Sequence, residues 1–353
     1  MKKILLMSML GCIVLSNTYA APQSGNYLES GDWVLACDNT KTCRMAGYQN
    51  DASHYAVSIL FTRYLGRDTA SIAQIKILDQ DLSGGLSQAF SDRKVTLYIQ
   101  NKNYGTIAQD SIPQTGRLTL SQTNAMIKAV KLKQKIKFKM AQKQWELSSR
   151  GGDQVLQKMN EIQHEESYSS SAMLQNKQPQ NRIESNLRGQ IPEIVMYGFI
   201  RKPTQHFPIE SSQSQQLLGQ LKKVISAQDC PLLLQTHFPE NTRISIYPIT
   251  QNQVLVESPC KHQNQSELVY WVMDAQFTSI QQLVTLSGSS YSEGHIFARH
   301  SPQSRNDCES IKEWAWNGQK FVVSYLATTG LCKGFPKGAW QLPTYVSITR
   351  SVS

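Results

Sequence analysis

The chain has 353 residues, of which 40% are apolar and 18% charged, and a formal charge of +10. That length exceeds one typical domain and that apolar fraction can fill real cores, which excludes global disorder and makes two domains the expectation. The basic balance suits anionic surfaces such as lipid headgroups or envelope polymers, although many exported proteins are simply basic.

The N-terminus reads as a leader. Lys2 and Lys3 precede an apolar run from Ile4 to Leu15, and Thr18, Tyr19 and Ala20 form a small-residue exit before Ala21 and Pro22. The run is too short for a permanent membrane span, and cleavage after Ala20 is the expectation. Lipid attachment at Cys12 is the rival reading, opposed by Ile13, Val14 and Leu15, which continue the apolar core past it. Losing Lys2 and Lys3 with the leader lowers the charge to +8. Six cysteines remain: Cys37, Cys43, Cys230, Cys260, Cys308 and Cys332. An even number in an exported chain reads as disulfides, and their grouping favours sequential pairing. Chain entropy then gives ~2 kcal/mol for the short loop and ~3.5 kcal/mol for each of the others. No Cys-x-x-Cys or zinc-finger spacing with histidine occurs.

The stretch from Gly31 to Tyr48 predicts a stapled β-hairpin. Trp33, Leu35 and Cys37 alternate onto one face and Val34 and Ala36 onto the other, with Asp38 to Lys41 supplying turn chemistry. Cysteines flanking a tight turn can be bridged across it. Further strands are predicted over 56–63, 73–78 and 95–99. A helix follows, with Ser121 as N-cap and Met126, Ala129 and Val130 at helical spacing. From Lys131 to Lys139 every second residue is lysine. In an extended chain the lysines would share one face about 6.7 Å apart, matching a polyanion. The plainer readings are a solvated face or an edge strand guarded against pairing, and a helix running to Leu132 would remove Lys131 from the row.

Trp145 to Ser148 predicts a short strand. Gly151, Gly152 and Asp153 then start a helix with Val155, Leu156, Met159 and Ile162 on one face. The polar run from Tyr168 to Gly189 reads as a linker. Beyond it come a strand over Ile194–Ile200, a helix from Ser211 to Ala227, and strands over 243–248, 253–257, 268–273 and 283–287. Trp314 to Tyr325 predicts a hairpin with Asn317-Gly318 in a type I′ turn. The fold class is therefore β-rich α+β, with a leader (1–20), an N-terminal domain (24–167), a linker (168–190) and a C-terminal disulfide-stapled domain (191–353).

Several of these pieces recur together in one family. They are Trp33-x-x-x-Cys37-Asp38-Asn39-Thr40, then Thr42-Cys43-Arg44 with Ala46, Gly47 and Tyr48, and Trp145-Glu146-Leu147-Ser148 before a helix. In the second half they are Trp314 to Gly318 with Phe321, then Cys332, and Trp340 to Thr344. On these residues, from about 30 to 350, the chain resembles the domain-of-unknown-function 1176 family of exported Gram-negative bacterial proteins. The resemblance implies a periplasmic location and a signal peptide, and it carries over no catalytic residues. Asn160 stands where relatives tend to have an acidic residue.

Catalytic constellations are sparse. None of the seven histidines, His54, His164, His206, His237, His262, His295 and His300, falls in a metal-binding spacing. Gly288 to Gly294 fails the nucleophile-elbow spacing, and adjacent Glu165 and Glu166 do not face a common point on a helix. Paired cysteines leave no free thiolate. Tyr104, Tyr168, Tyr291 and Tyr345 sit in polar stretches where a sugar or peptide could stack. The leading expectation is a non-catalytic envelope protein without cofactor or metal. It would bind an anionic component or another periplasmic protein, with Lys133, Lys135, Lys137 and Lys139 as the anion-binding residues. Nucleic acid is disfavoured by export. The alternatives are a cell-wall hydrolase with carboxylates far apart in sequence, and an inhibitor of a secreted hydrolase such as lysozyme, whose own basic charge opposes a +8 partner.

Overall fold

A computed structural model of the chain describes residues 25–51, 56–66, 70–78, 95–112, 115–170, 191–197, 204–226, 228–234, 238, 240–261, 267–301 and 308–352. The leader, Cys12 and most of the linker, 171–190, lie outside the described residues, as do His54, His237 and His262.

The first half is built on two antiparallel sheets. β1 (Asn26–Ser30), β2 (Trp33–Cys37), β3 (Cys43–Tyr48), β4 (Ala56–Arg63) and β5 (Ile72–Leu78) pair in succession. β6 (Thr96–Ile99) and β7 (Lys102–Thr106) form a hairpin of the second sheet, whereas β8 (Ala108–Gln109) and β9 (Gly116–Arg117) return to extend the first beyond β5. β10 (Ile136–Met140) and β11 (Lys143–Leu147) complete the second sheet. Two helices, α1 (Leu120–Lys131) and α2 (Gly152–Ser170), close the core.

The alternation in β2 sorts its side chains as the sequence predicts. Trp33, Leu35 and Cys37 enter the large core with Met45, Ile59, Phe61, Phe138, Trp145 and Met159. Val34 and Ala36 enter a second core with Ala46 and Tyr48, covered by Phe335, Ala339, Trp340 and Leu342 from the far end of the chain. Two contacts mark this second cover: Trp340 Nε1 donates to Ser58 Oγ at 2.7 Å, and the half-buried Lys76 places its ammonium 4.9 Å from the Trp340 ring centre. Both faces of the N-terminal hairpin are thus covered, one of them by residues about 300 positions later.

Helix boundaries follow their caps. α1 is capped by Thr119, not by the expected Ser121, because Thr119 and Gln122 exchange side-chain and backbone hydrogen bonds as a capping box. The helix runs through Lys131, and a turn with Lys133 at φ 52° follows before β10 begins at Ile136. Strand periodicity therefore covers only Lys137 and Lys139 of the predicted row. α2 carries Val155, Leu156, Met159 and Ile162 on its buried face and extends to Ser170, past the predicted start of the linker. On that helix Asn160 accepts from Arg63 Nη2 at 2.7 Å, which ties α2 to β4.

In the second half, β12 (Glu193–Met196) pairs in parallel with the last strand. It is shorter than predicted, and 198–203 lie outside the described residues. β13 (Gln205–Pro208) precedes α3 (Ser212–Leu221), whose N-cap is Ser211 and which stops before the predicted Ala227. β14 (Arg243–Pro248), β15 (Gln253–Lys261), β16 (Glu267–Asp274) and β17 (Ile280–Gly288) join β13 in a five-stranded sheet. β18 (Ser290–Ser292), β19 (His295–His300), β20 (Ser310–Trp316), β21 (Phe321–Thr328) and β22 (Leu342–Val346) form another, and β23 (Ile348–Ser351) completes the pair with β12.

One face of the β13–β17 sheet packs on α3 through Ile244, Val256 and Trp271 against Leu217, Leu218 and Leu221. Its other face meets the β18–β22 sheet, where Leu255, Tyr270 and Val272 pack on Ile296, Trp314 and Trp316. At that junction Glu257 accepts from the hydroxyls of Tyr270 at 2.6 Å and Tyr247 at 3.0 Å. Burial, with the Glu257 charge beside it, pushes the Tyr247 phenol up to about 12.

The β20–β21 connection differs from a type I′ turn. Trp316 pairs with Phe321, so four residues form the loop, and of the central pair only Gly318 has positive φ, at 90°. Asn317 Oδ1 instead caps the loop by accepting from the backbone N–H groups of Gln319 and Lys320 at 3.1 and 2.9 Å. A type I′ turn needs two left-handed residues, and the side-chain cap removes that need.

Candidate functional site

The six cysteines beyond Cys12 pair sequentially: Cys37 with Cys43, Cys230 with Cys260, and Cys308 with Cys332. Cys37 and Cys43 stand opposite each other in the β2–β3 register, so the staple closes the hairpin where its turn begins. Asp38 is buried there and organises the turn. Its Oδ1 accepts from the backbone N–H groups of Thr40 and Thr42 at 2.9 and 3.2 Å, and its Oδ2 receives Arg44 Nη1 at 2.9 Å. These groups are structural.

The four lysines divide into two settings. Lys137 and Lys139 lie on the outer face of β10, while Ile136, Phe138 and Met140 fill the core beneath. Lys139 Nζ stands 4.7 Å from the Tyr98 ring centre, and Lys137 reaches Gln144 Oε1 at 3.4 Å. Lys133 and Lys135 leave the chain before the strand begins and line a polar cleft of about 540 Å³ with Asn50, Glu146, Ser148 and Ser149. Lys133 pairs with Asp153 at 3.1 Å and Lys135 with Glu146 at 3.2 Å, both lysine side chains being more than half exposed. The cross-strand partner of Lys137 is that same Glu146. Lys133 and Lys135 thus each meet one carboxylate, and ion pairs whose cation is more than half exposed are worth only about 0–1 kcal/mol.

One wall of the cleft is fixed by a charge cluster absent from the sequence reading. Asp32, fully buried between β1 and β2, accepts from Ser148 Oγ at 2.5 Å, from Arg150 Nη2 at 2.9 Å and from Lys333 Nζ. Lys333 also reaches Asp51 at 2.7 Å, and Arg150 lies 3.7 Å from the same carboxylate. Burial raises the Asp32 pKa, but the hydrogen bonds from Arg150, Lys333 and Ser148 outweigh it and hold the carboxyl below its usual range. A carboxylate so stabilised is a weak base, and Ser148 donates to it, so the pair positions backbone and does not activate a nucleophile. Two glycines permit the approach. Gly31 at φ 56° and Gly151 at φ 93° place the β1–β2 turn against the start of α2, where a Cβ would meet Arg150 O at 2.4 Å and Ser30 O at 1.9 Å. No local signal in the sequence marks Asp32, because its cations come from positions over 100 and 300 residues away.

Other candidates from the sequence are used internally. Tyr345 is buried, Tyr291 packs on Tyr247 with ring centres 4.6 Å apart and planes tilted by 55°, and Tyr104 packs against the first core. The side chains of Tyr168, His164, Glu165 and Glu166 lie outside the described residues. Among the described residues no group of three His, Cys, Asp or Glu side chains is placed to hold a metal ion, and no helix is long and apolar enough to cross a membrane.

No curated protein and no solved structure matches the chain. A family model does, described as a protein of unknown function, DUF1176, and it covers residues 28–347. With the match spanning both halves and the hairpin, the disulfides and the C-terminal cover, the chain belongs to the DUF1176 family.

Proposed function

We propose that the protein is a non-catalytic, periplasmic binding protein of the cell envelope that holds an anionic polymer along its lysine face. The observation that carries this reading is the placing of Lys137 and Lys139 on one exposed strand face, continued by Lys133 and Lys135 along the adjoining cleft. Same-face strand residues repeat at about 6.7 Å, close to the spacing of charges on a polyanion. Tyr98, beside Lys139, adds a ring against which a polymer could lie. Three disulfides suit an oxidising compartment, and the basic leader-like N-terminus agrees with export.

The test is fluorescence anisotropy with labelled heparin as the polyanion, at low and moderate salt. Replacing Lys133, Lys135, Lys137 and Lys139 by Gln is expected to weaken binding roughly tenfold or more and to flatten its salt dependence, since each neutralised charge releases counterions. Unchanged affinity and salt slope would sink the reading.

A further inference from the structure

A second concavity, lined by none of the four lysines above, lies where β1 meets the β18–β22 sheet. The inner face of that sheet is only partly covered. Ile296 and Trp314 are buried under the β13–β17 sheet, but the rows beyond them emerge as the floor of a groove of about 650 Å³. In register, Ala298, Lys312 and Leu326 form one row across the floor, and His300, Ser310 and Thr328 form the next. Thr285 and Ser287 of β17 supply one wall, and Tyr27 and Glu29 of β1 the other.

The groove carries one charge of each sign. Lys312 is exposed on the floor, its ammonium 4.8 Å from the Trp314 ring centre, and among the described residues no carboxylate lies within 4 Å of it. Glu29 is exposed on the wall, where its carboxylate accepts from the Tyr27 hydroxyl, and no described cation lies within 4 Å. Just behind this floor Arg299 pairs with Glu309 at 3.1 Å. Two opposite charges without an ion-pair partner among the described residues, in a groove also lined by apolar and hydroxyl groups, complement a zwitterion. The volume is that of a small-ligand site. A floor of strand rows presents alternating side chains at the period of an extended backbone, and a tripeptide spans roughly 10 Å. A neutral glycan would match neither charge.

We infer that this groove binds a short extended peptide with free termini, its ammonium at Glu29 and its carboxylate at Lys312. The site is separate from the lysine face, so the two readings stand or fall independently.

Titration calorimetry of the oxidised full chain with Ala-Leu-Ala, its N-acetyl form and its C-terminal amide tests the assignment, with chitotriose as the glycan probe. Ala-Leu-Ala is expected to bind, and each blocked form to bind about tenfold more weakly, the loss of one charge-assisted contact. Glu29→Gln should erase the difference between free and acetylated peptide, and Lys312→Gln that between acid and amide. Each of these two variants should retain the parent melting temperature, and Lys137→Gln/Lys139→Gln should keep full peptide affinity. Binding indifferent to both blocks, binding of chitotriose alone, or no binding by any probe would each overturn the proposal.

Discussion

Two hairpins with tryptophan in their strands and a disulfide close by have opposite fates. The β2–β3 hairpin is buried on both faces, one side in the large core and the other under Phe335, Trp340 and Leu342. The β20–β21 hairpin buries Trp314 and Trp316 but leaves Lys312, Leu326 and Thr328 on an open floor. A strand closed on both faces can only support the fold, whereas one with a half-open face can meet a ligand. The closed hairpin gives the family's N-terminal motif a structural role, and the open floor beside Trp314 is where the proposed recognition would lie.

The largest expected effect tests the closed hairpin. Trp33 is fully buried, stacks on Phe61 with ring centres 6.4 Å apart, and donates from Nε1 to Ser148 O at 2.9 Å. Trp33→Ala should cost about 3–5 kcal/mol, read as a lowered midpoint in urea denaturation. A loss below about 1 kcal/mol would mean that the hairpin does not organise this core.

The same residues show what could be read without coordinates. Period-two alternation assigned Trp33, Leu35 and Cys37 to one face and Val34 and Ala36 to the other, and the structure places them in different cores. What covers the second face was illegible, because a pattern of apolar residues states that a face is buried and not by what. The lysine row was legible only in part. Period two was correct from Ile136 onward, but the Thr119–Gln122 capping box commits the preceding residues to a helix that runs through Lys131. The Asp32 cluster and the groove draw on strands and loops remote in sequence, so neither leaves a local mark.

Next in size, the disulfides separate the halves. Replacing Cys308 and Cys332 by Ser opens a loop with a sequence separation of 24 and should cost about 3.5 kcal/mol. The same change at Cys37 and Cys43, with a separation of 6, should cost about 2 kcal/mol. Paired thermal melts check the order. A greater loss at the short loop would show that the N-terminal staple holds strand geometry and not merely chain entropy.

A smaller effect is tied to pH. Because the Asp32 carboxyl is held below its unfolded value of ~3.9, its contribution is fully present above that pH and is lost as pH falls through the lowered native value. Asp32→Asn should cost about 1.5 kcal/mol near neutrality, the scale of a hydrogen bond to a charged group. Urea midpoints of variant and parent measured from pH 7 downward should converge in acid. A gap that stayed constant would assign the cost to packing and leave the Arg150 and Lys333 contacts without energetic weight.

The smallest stability effect belongs to the open hairpin, and its smallness is the point. Lys312 is exposed, has no carboxylate within ion-pair distance among the described residues, and only lies over Trp314. Lys312→Gln should therefore change folding stability by no more than about 0.5 kcal/mol, the range of surface substitutions away from special contacts. A residue kept for the fold would show its loss in the melt, and one kept for a ligand would show it only in binding. If Lys312→Gln lowered the urea midpoint as far as Asp32→Asn does, the floor of the groove would be as structural as the hairpin it is compared with. A silent melt together with lost discrimination between peptide acid and amide would leave recognition as its role.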